Sequence, residues 1–600
     1  MASASGKVDV TIVGGGIAGL TAALRLAQNG CKVTVYEEGK TAGGNLGADN
    51  ADGSYRDVYP HMFGDWYNNF WKLAEDLGLS RWREFKPMPS CAFLRRGDFP
   101  HFKYLTDNGS LRSLVSNLNS GIMPAPDMFL AAYSTIDLLS QDFSPNDILG
   151  KQTVNGFITS RPYATARMAD MVDGVISNIW GVNSYLTSAF AYQQFAKYQI
   201  RRPEPQCWVL KGNANAYFIK PLMAKLEGLG CTIKCETTVQ YVTVAQGKVD
   251  SIGIKSTKGD QKVKREPVEN LILAIPPRRL AQLVQEKAPN GSENSGHTGS
   301  AIVSVLPQLS QLRRIRSMPI VVLDVSFRRR LPDVPPCYVS LMGSSYELTF
   351  VENPELSSQA KTVLCVAASN PYALRSNFKE YPADLGFDLT DGEASKEEME
   401  RNEAPYLLLK ELNAYIPFKL GNQWGDPSSD VDWENTEKGY RPNKEHLLFI
   451  NEVGSEEWCP EVSYPEIPNL FFVGDFCKND ITIATVEAAV VSGLRAANAL
   501  GCKERIGILT EIIKPNYYPE SLMAVLKVVL APYTVGAKLW SASYDSVDSL
   551  GKMNWGAGSG DTISLLSRAA SLWADSAATA VVAGVKCWEA MGSFYGWRRR

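Results

Sequence analysis

The stretch VTIVGGGIAGLTAALRLAQNGCKVTVYEE, residues 10–38, restricts the fold more than any other part of this chain. Val10 to Val13 make a short apolar, β-rich run. Gly14, Gly16 and Gly19 then supply G-x-G-x-x-G, and Leu20, Ala23, Leu24 and Ala27 recur at helical spacing until Gly30 stops the helix. Val33, Val35 and Tyr36 form a second strand that ends at Glu37. Strand, turn, helix, strand and terminal acid together describe a unit that holds a dinucleotide. Gly14 allows the sharp turn, Gly16 lets the backbone approach a pyrophosphate, and Gly19 lets helix and strand pack closely. Free N–H groups at the helix start, where Ile17 and Ala18 stand, bind the anion. Glu37, with Glu38 beside it, accepts hydrogen bonds from a ribose, and a carboxylate there repels a 2′-phosphate, which disfavours NADP. The fingerprint leaves NAD and FAD both open.

Composition narrows the class. With 600 residues, 45% hydrophobic and 10% aromatic, the chain can build several sizeable cores. A net charge of −3 offers no basic surplus to neutralise phosphates, so no nucleic acid is expected as a partner. The eleven cysteines include no C-x-x-C pair and read as thiols in a reducing compartment. Four histidines, at 61, 101, 297 and 446, are too scattered for a His-rich metal site, and no metal is expected. The first apolar run is a strand followed by glycines instead of a cleavage site, and cytoplasmic residence is the default expectation.

The second informative stretch lies near the far end: NLFFVGDFCKNDITIATVEAAVVSGLRAANAL, 469–500. Leu470 to Val473 read as a buried strand, Gly474 and Asp475 as a sharp turn, and Ala484 to Leu500 as a helix with small residues on one face. This stretch resembles the closing flavin motif of the FAD-dependent amine oxidase and phytoene desaturase superfamily. Its G-D-x-x-K and A-[ST]-x-E-x-A-V-x-S-G wording is especially similar to plant and cyanobacterial-type carotene desaturases. Other segments agree in order. EEGKTAGGN (37–45) resembles the family's second flavin motif, and DGSYRDVYPHMFG (52–64) a desaturase segment that contains a histidine. Val239 falls where the family's adenine-side valine lies, and LILAIPP (271–277) resembles the strand before its substrate domain. The likeness runs from about residue 8 to residue 500.

The resemblance implies FAD. It places the pyrophosphate on the turn from Gly14 to Gly19, the ribose on Glu37, a close backbone pass at Gly43 and Gly44, and the ribityl and phosphate side at Gly474 and Asp475. Asp475 also reads as an ordinary helix-cap carboxylate. The helix that begins at Thr485 and Val486 would aim its N–H groups at the flavin pyrimidine. Three departures stand out: Asn45 replaces the usual arginine or lysine, Ala488 a common glycine, and Tyr59 with Pro60 the glycine and small or apolar residue before the histidine.

The chemistry so implied is hydride removal from carbon by the flavin, with the protein supplying position, exclusion of water and electronic tuning. His61 is the candidate catalytic residue, to accept a proton or orient substrate; a histidine merely fixed by a backbone hydrogen bond is the equal alternative. Lys478 either touches cofactor or substrate or is a solvated loop charge. The expected substrate is a long apolar, isoprenoid or polyene-like molecule oxidised to a C=C bond, with electrons passing to quinone or dioxygen. The aromatic block at 163–198 and Trp208 are candidates to line its tunnel, or simply core. The alternatives are a flavin amine oxidase making imine and hydrogen peroxide, a redox-neutral double-bond isomerase, and a protein in which FAD is structural.

The expected architecture is α/β: a Rossmann-like FAD-binding domain, a parallel sheet with helices, interleaved with an α+β substrate domain and followed by a mainly helical C-terminal extension. Residues 1–100, 208–285 and 451–505 are assigned to the FAD-binding domain, 101–207 to a helical aromatic substrate region, 286–450 to the substrate domain and 506–600 to the extension. Residues 287–300 read as a polar loop, and 388–405 as an acidic segment in which Ser395 and Glu398 have capping-box spacing. In the extension, SLMAVLKVVLAPYTVGAKLW (521–540) is apolar but interrupted by Lys527, Pro532 and Lys538, a poor spanning helix. Residues 562–600 are amphipathic, with Trp573, Trp588, Trp597 and terminal arginines. Either segment lies on a membrane surface, as a peripheral contact, or packs on the flavin domain or on a second subunit in a homo-oligomer.

Overall fold

The glycine pattern folds as its spacing predicts: β1 (Asp9–Val13), α1 (Ile17–Gln28) and β2 (Lys32–Tyr36) follow one another in a computed structural model. It describes residues 7–49, 56–88, 90–106, 117–141, 147–200, 207–258, 262–286, 301–370 and 394–551, with single positions at 576, 579, 583 and 586. The loop at 287–300, most of the segment 562–600 and the side chains of Ser395 and Glu398 lie outside the described residues.

Three distant stretches build one sheet. β3 (Thr232–Lys234), β4 (Asn270–Leu273), β5 (Ser463–Tyr464) and β6 (Ile467–Phe472) join the first two strands in the order β3-β2-β1-β4-β6-β5. All pairs are parallel except β5 with β6. β4 is buried along its whole length, as a parallel strand covered on both faces must be. It ends at Leu273, short of the prolines, and Pro277 opens a helix over Pro277–Leu283.

α2 (Asn68–Asp76) and α3 (Ala125–Leu139) lead into a helical layer completed by Val154–Thr159, Ala166–Trp180 and Ala189–Gln199. α4 (Val486–Lys503) returns to α1. The small residues on its face are required there, because a Cβ on Gly493 would lie 2.4 Å from the Ala18 carbonyl oxygen. A second, seven-stranded sheet runs in the order 440–441, 321–326, 363–368, 348–352, 339–341, 90–94, 103–106 and stands opposite the first across a cavity.

The C-terminal helix α5 (Glu520–Gly551) packs along α3 and shares its core through Leu522, Met523, Leu526 and Leu530. Lys527 Nζ reaches the buried Asp137 carboxylate at 2.7 Å, and Lys538 donates to the Pro162 carbonyl. The two lysines that interrupt the apolar run in sequence are thus engaged by the protein. The outer face carries Ala524, Val528, Pro532, Val535 and Leu539, all exposed. By length and composition Glu520–Ser543 is long and apolar enough to cross a membrane, with a mean hydropathy of 1.5 and 33% of it buried.

Candidate functional site

A cavity of about 880 Å³ opens at the carboxyl ends of β1, β2, β4 and β6, where ligands bind in open α/β sheets. Its near wall is made from the glycine motifs. Gly14 has φ +106°, and a Cβ there would lie 2.2 Å from the Ala274 carbonyl oxygen. Gly16 differs: a Cβ on it would meet nothing within 4 Å, because that side faces open cavity. The Gly43–Gly44 pair folds back on the first turn. Gly43 N–H donates to the Gly15 carbonyl at 2.8 Å, and a Cβ on Gly44 would approach Gly16 Cα to 3.1 Å.

The N-terminus of α1 has no side-chain cap and no acid in its first turn, and Gly16, Ile17 and Ala18 line the cavity. Such an end is a ready anion site. The Glu37 carboxylate accepts from Gly15 N–H at 2.7 Å and from Gly39 N–H at 2.6 Å. Burial pushes its pKa up, against those two hydrogen bonds. Each oxygen keeps a further lone pair for a ribose hydroxyl. Glu38 lies 3.8 Å from Arg279 at the cavity rim. Val239, on the antiparallel strand Thr237–Ala245, also lines the cavity.

At the other end Gly474, whose N–H donates to Ser492 Oγ at 2.8 Å, turns the chain from β6 so that Asp475 lines the cavity. Burial raises the Asp475 carboxyl to about 6. Thr485 caps α4 by accepting from Ala488 N–H at 3.2 Å, and Val486 begins the helix beside the cavity. The Asn45 amide donates to the Leu447 carbonyl at 3.1 Å, holding the segment that carries His446 against the GG pair. This wall fits a dinucleotide with a tricyclic head: an uncapped helix end, an open Gly16, a ribose acceptor and a second helix start all face one space.

The opposite wall carries Tyr59, Pro60, His61, Met62, Phe195 and Ile320, with Tyr338, Ser317 and Leu448 among its other residues. His61 Nδ1 lies 2.9 Å from the Tyr59 carbonyl oxygen. A carbonyl only accepts, so Nδ1 carries the proton and Nε2 keeps the ring's lone pair. Burial pushes the imidazole down to about 4, partly opposed by that hydrogen bond, so the ring is neutral at ordinary pH.

The structure brings Gly14, Gly16, Ile17, Ala18, Glu37, Glu38, Gly43, Gly44, Asn45, His61, Val239, Gly474, Asp475, Thr485 and Val486 to this one cavity. Gly19 stands behind it, where a Cβ would lie 2.3 Å from the Gly14 carbonyl oxygen, so only glycine lets α1 pass this close. Two readings left open by the sequence are decided. Lys478 pairs with Glu461 at 3.0 Å on the surface and does not line the cavity. Among the described residues of the block 163–198 only Gly181 and Phe195 reach the cavity, while Tyr163 and Phe190 fill the helical core; Trp208 packs against Trp71 and Trp82.

Glu487 was within the quoted motif but carried no assigned role. Its carboxylate, fully buried, accepts from Asn69 N–H at 2.9 Å and Phe70 N–H at 2.8 Å, and so caps α2 from another part of the chain. No local spacing announces such a contact, because 418 positions separate the partners.

Curated relatives match only in part. The chain is 23% identical over 323 residues to 4,4'-diaponeurosporene oxygenase of Staphylococcus aureus (strain bovine RF122 / ET3-1), covering 49% of this chain and 63% of that protein. It is 32% identical over 76 residues to zeta-carotene desaturase of Solanum lycopersicum, 12% of this chain and 13% of that one. Solved structures agree in fold. An oxidoreductase from Methanosarcina mazei superposes with a TM-score of 0.53 at 13% identity, over 81% of this chain and 99% of that one. Putrescine oxidase bound to putrescine gives 0.52 at 14% identity, over 83% and 99%. The family model described as flavin containing amine oxidoreductase matches residues 17–501. An FAD-dependent oxidoreductase, the chain belongs to the flavin containing amine oxidoreductases.

Proposed function

We propose that this enzyme oxidises a long apolar, isoprenoid or polyene-like substrate, removing hydride from one carbon and a proton from its neighbour to leave a C=C bond. The two electrons pass on to a quinone or to dioxygen. When bound, FAD supplies the two-electron acceptor. Gly16, Ile17 and Ala18 would hold its pyrophosphate, Glu37 its ribose and Asp475 its ribityl side, while the start of α4 at Val486 would offer N–H groups to the ring. His61 presents a neutral Nε2 lone pair that takes the proton or orients the chain. Pro60, Met62 and Ile320 keep water from the reacting carbons.

The observation that carries this reading is the distribution of charge around the cavity. Its acidic lining residues among those described are Glu37, Glu38, Glu445 and Asp475: three stand on the flavin-motif segments, and Glu445 on the segment that Asn45 holds against the GG pair, while Tyr59, Pro60, His61, Met62, Phe195, Ser317 and Ile320 include no acid. The opposite wall offers an apolar chain a neutral surface and gives an ammonium ion no counter-charge. The carotenoid enzymes among the relatives lend support.

A lipid-soluble substrate also suits the outer face of α5. We assign the stripe Ala524, Val528, Pro532, Val535 and Leu539 to peripheral contact with a lipid surface, supported by its exposure and by the pairing of Lys527 with the buried Asp137.

Anaerobic mixing of the FAD-loaded protein with isoprenoids and polyenes tests the reaction. Bleaching of the flavin band, with a product two hydrogens lighter, is expected. Bleaching by amines alone, with peroxide released in air, would assign the enzyme to amine oxidation; a product of unchanged mass would assign it to isomerisation.

A further inference from the structure

The wall opposite the dinucleotide is neutral, yet it is not a hydrocarbon surface. Tyr59 and Ser317 line the cavity at 4% and 6% exposure, and among the described residues none accepts the Tyr59 phenol proton and none pairs with Ser317 Oγ. The Ile320 backbone N–H donates to the Tyr59 oxygen, and the phenol proton itself stays free to donate into the cavity. Buried hydroxyls are rarely left unpaired, because each forfeits the water it could otherwise bind. Two of them facing one cavity mark a place where something else supplies the partner.

The same place is built rigidly. Ile320 and Ser317 lie three positions apart on one segment, and Asn443 Nδ2 donates to the Val58 and Ile320 carbonyls, at 2.9 Å each. The residue before Tyr59 and the segment of Ser317 are thereby tied together by one buried amide. Tyr59 also packs with Ile320, Val322, Cys365 and Ala367, residues of the opposite wall and its sheet, so its hydroxyl does not belong to the dinucleotide cradle.

We propose that Tyr59 and Ser317 form a polar subsite that binds an oxygen atom of the substrate, a hydroxyl or a carbonyl, at the end of an otherwise apolar chain. This rests on the reading of the substrate as isoprenoid-like and narrows it to an oxygenated isoprenoid. Tyr59 Oη donates to the substrate oxygen; Ser317 Oγ donates to a carbonyl or accepts from a hydroxyl. The Tyr59 carbonyl holds His61, so the residue that anchors the oxygen also fixes the imidazole. Anchoring one end of the chain then sets which carbon stands beside His61.

The test uses the FAD-loaded full chain and three probes of one skeleton: geranylgeraniol, its aldehyde, and the hydrocarbon without oxygen. Binding is read from the perturbation of the flavin spectrum. Wild type is expected to bind at least one oxygenated probe roughly tenfold more tightly than the hydrocarbon, and Tyr59→Phe to erase that preference while binding the hydrocarbon as before. Ser317→Ala is expected to weaken the preference for the same probe. Equal binding of all three probes by wild type, or a preference unchanged in Tyr59→Phe, overturns the subsite and leaves the isoprenoid reading standing. Loss of flavin from Tyr59→Phe overturns it too, by giving the hydroxyl to the cofactor. Failure of every probe to bind overturns both readings.

Discussion

Gly14 and Gly16 look equivalent in a motif and are not equivalent in space. A methyl on Gly14 strikes the Ala274 carbonyl, whereas a methyl on Gly16 enters only the cavity. Gly14→Ala is therefore expected to lower the thermal midpoint of the empty protein. Gly16→Ala is expected to leave that midpoint unchanged while weakening FAD binding by roughly tenfold or more, measured by flavin fluorescence. His61 gives a pH signature. Its folded pKa is pushed down to about 4, so a reaction that needs the neutral ring runs fully above that value and fades only as pH falls through it. An inflection of kcat/KM at the ordinary histidine value would contradict the geometry. His61→Ala is expected to lower kcat by about a hundredfold.

Glu487 acts in the opposite sense on stability. Burial raises its carboxyl from 4.5 to about 7, so between those values the folded chain holds a proton that the unfolded chain has released. Its contribution falls as pH rises through that window. The stability difference between Glu487→Gln and wild type should shift toward the variant by about 1.4 kcal/mol per pH unit there, in denaturant titrations at a series of pH values.

Elements differ in how plainly the sequence announced them. β1, α1, β2 and α4 were legible because a local signal, a glycine turn or a run of small residues, fixed each one. The role of the aromatic block at 163–198 was not, because an apolar side chain at helical spacing fits a core and a tunnel equally well, and only the packing of Tyr163 and Phe190 decides. α5 misleads for a related reason. Lys527 and Lys538 lower its apparent fitness for a lipid surface only while their partners Asp137 and Pro162 are unknown. Replacing Val535 and Leu539 together by aspartate should reduce sedimentation with lipid vesicles by roughly tenfold or more. The unfolding free energy should stay within about 0.5 kcal/mol per site, as expected for exposed positions. A dimer dissolved by the same changes would instead assign the stripe to a second copy of the chain.

At the scale of the molecule, the sheet under the cavity draws strands from residues 9–36, 232–273 and 463–472. The motifs at its two ends made the cofactor readable, since each keeps its own local wording. What lies opposite was hidden, because the facing wall brings residues near 60 together with residues near 320, and no spacing along a chain encodes a meeting across 260 positions. The docking of α5 on α3 belongs to the same class of long-range contact. Because Leu522, Met523, Leu526 and Leu530 complete a core begun four hundred positions earlier, a chain cut short before Glu520 would bare a greasy trough and clump or stick to lipid indiscriminately. Truncation, the customary way to look for an anchor, would here report on misfolding, and only point changes on the outer stripe separate anchoring from collapse.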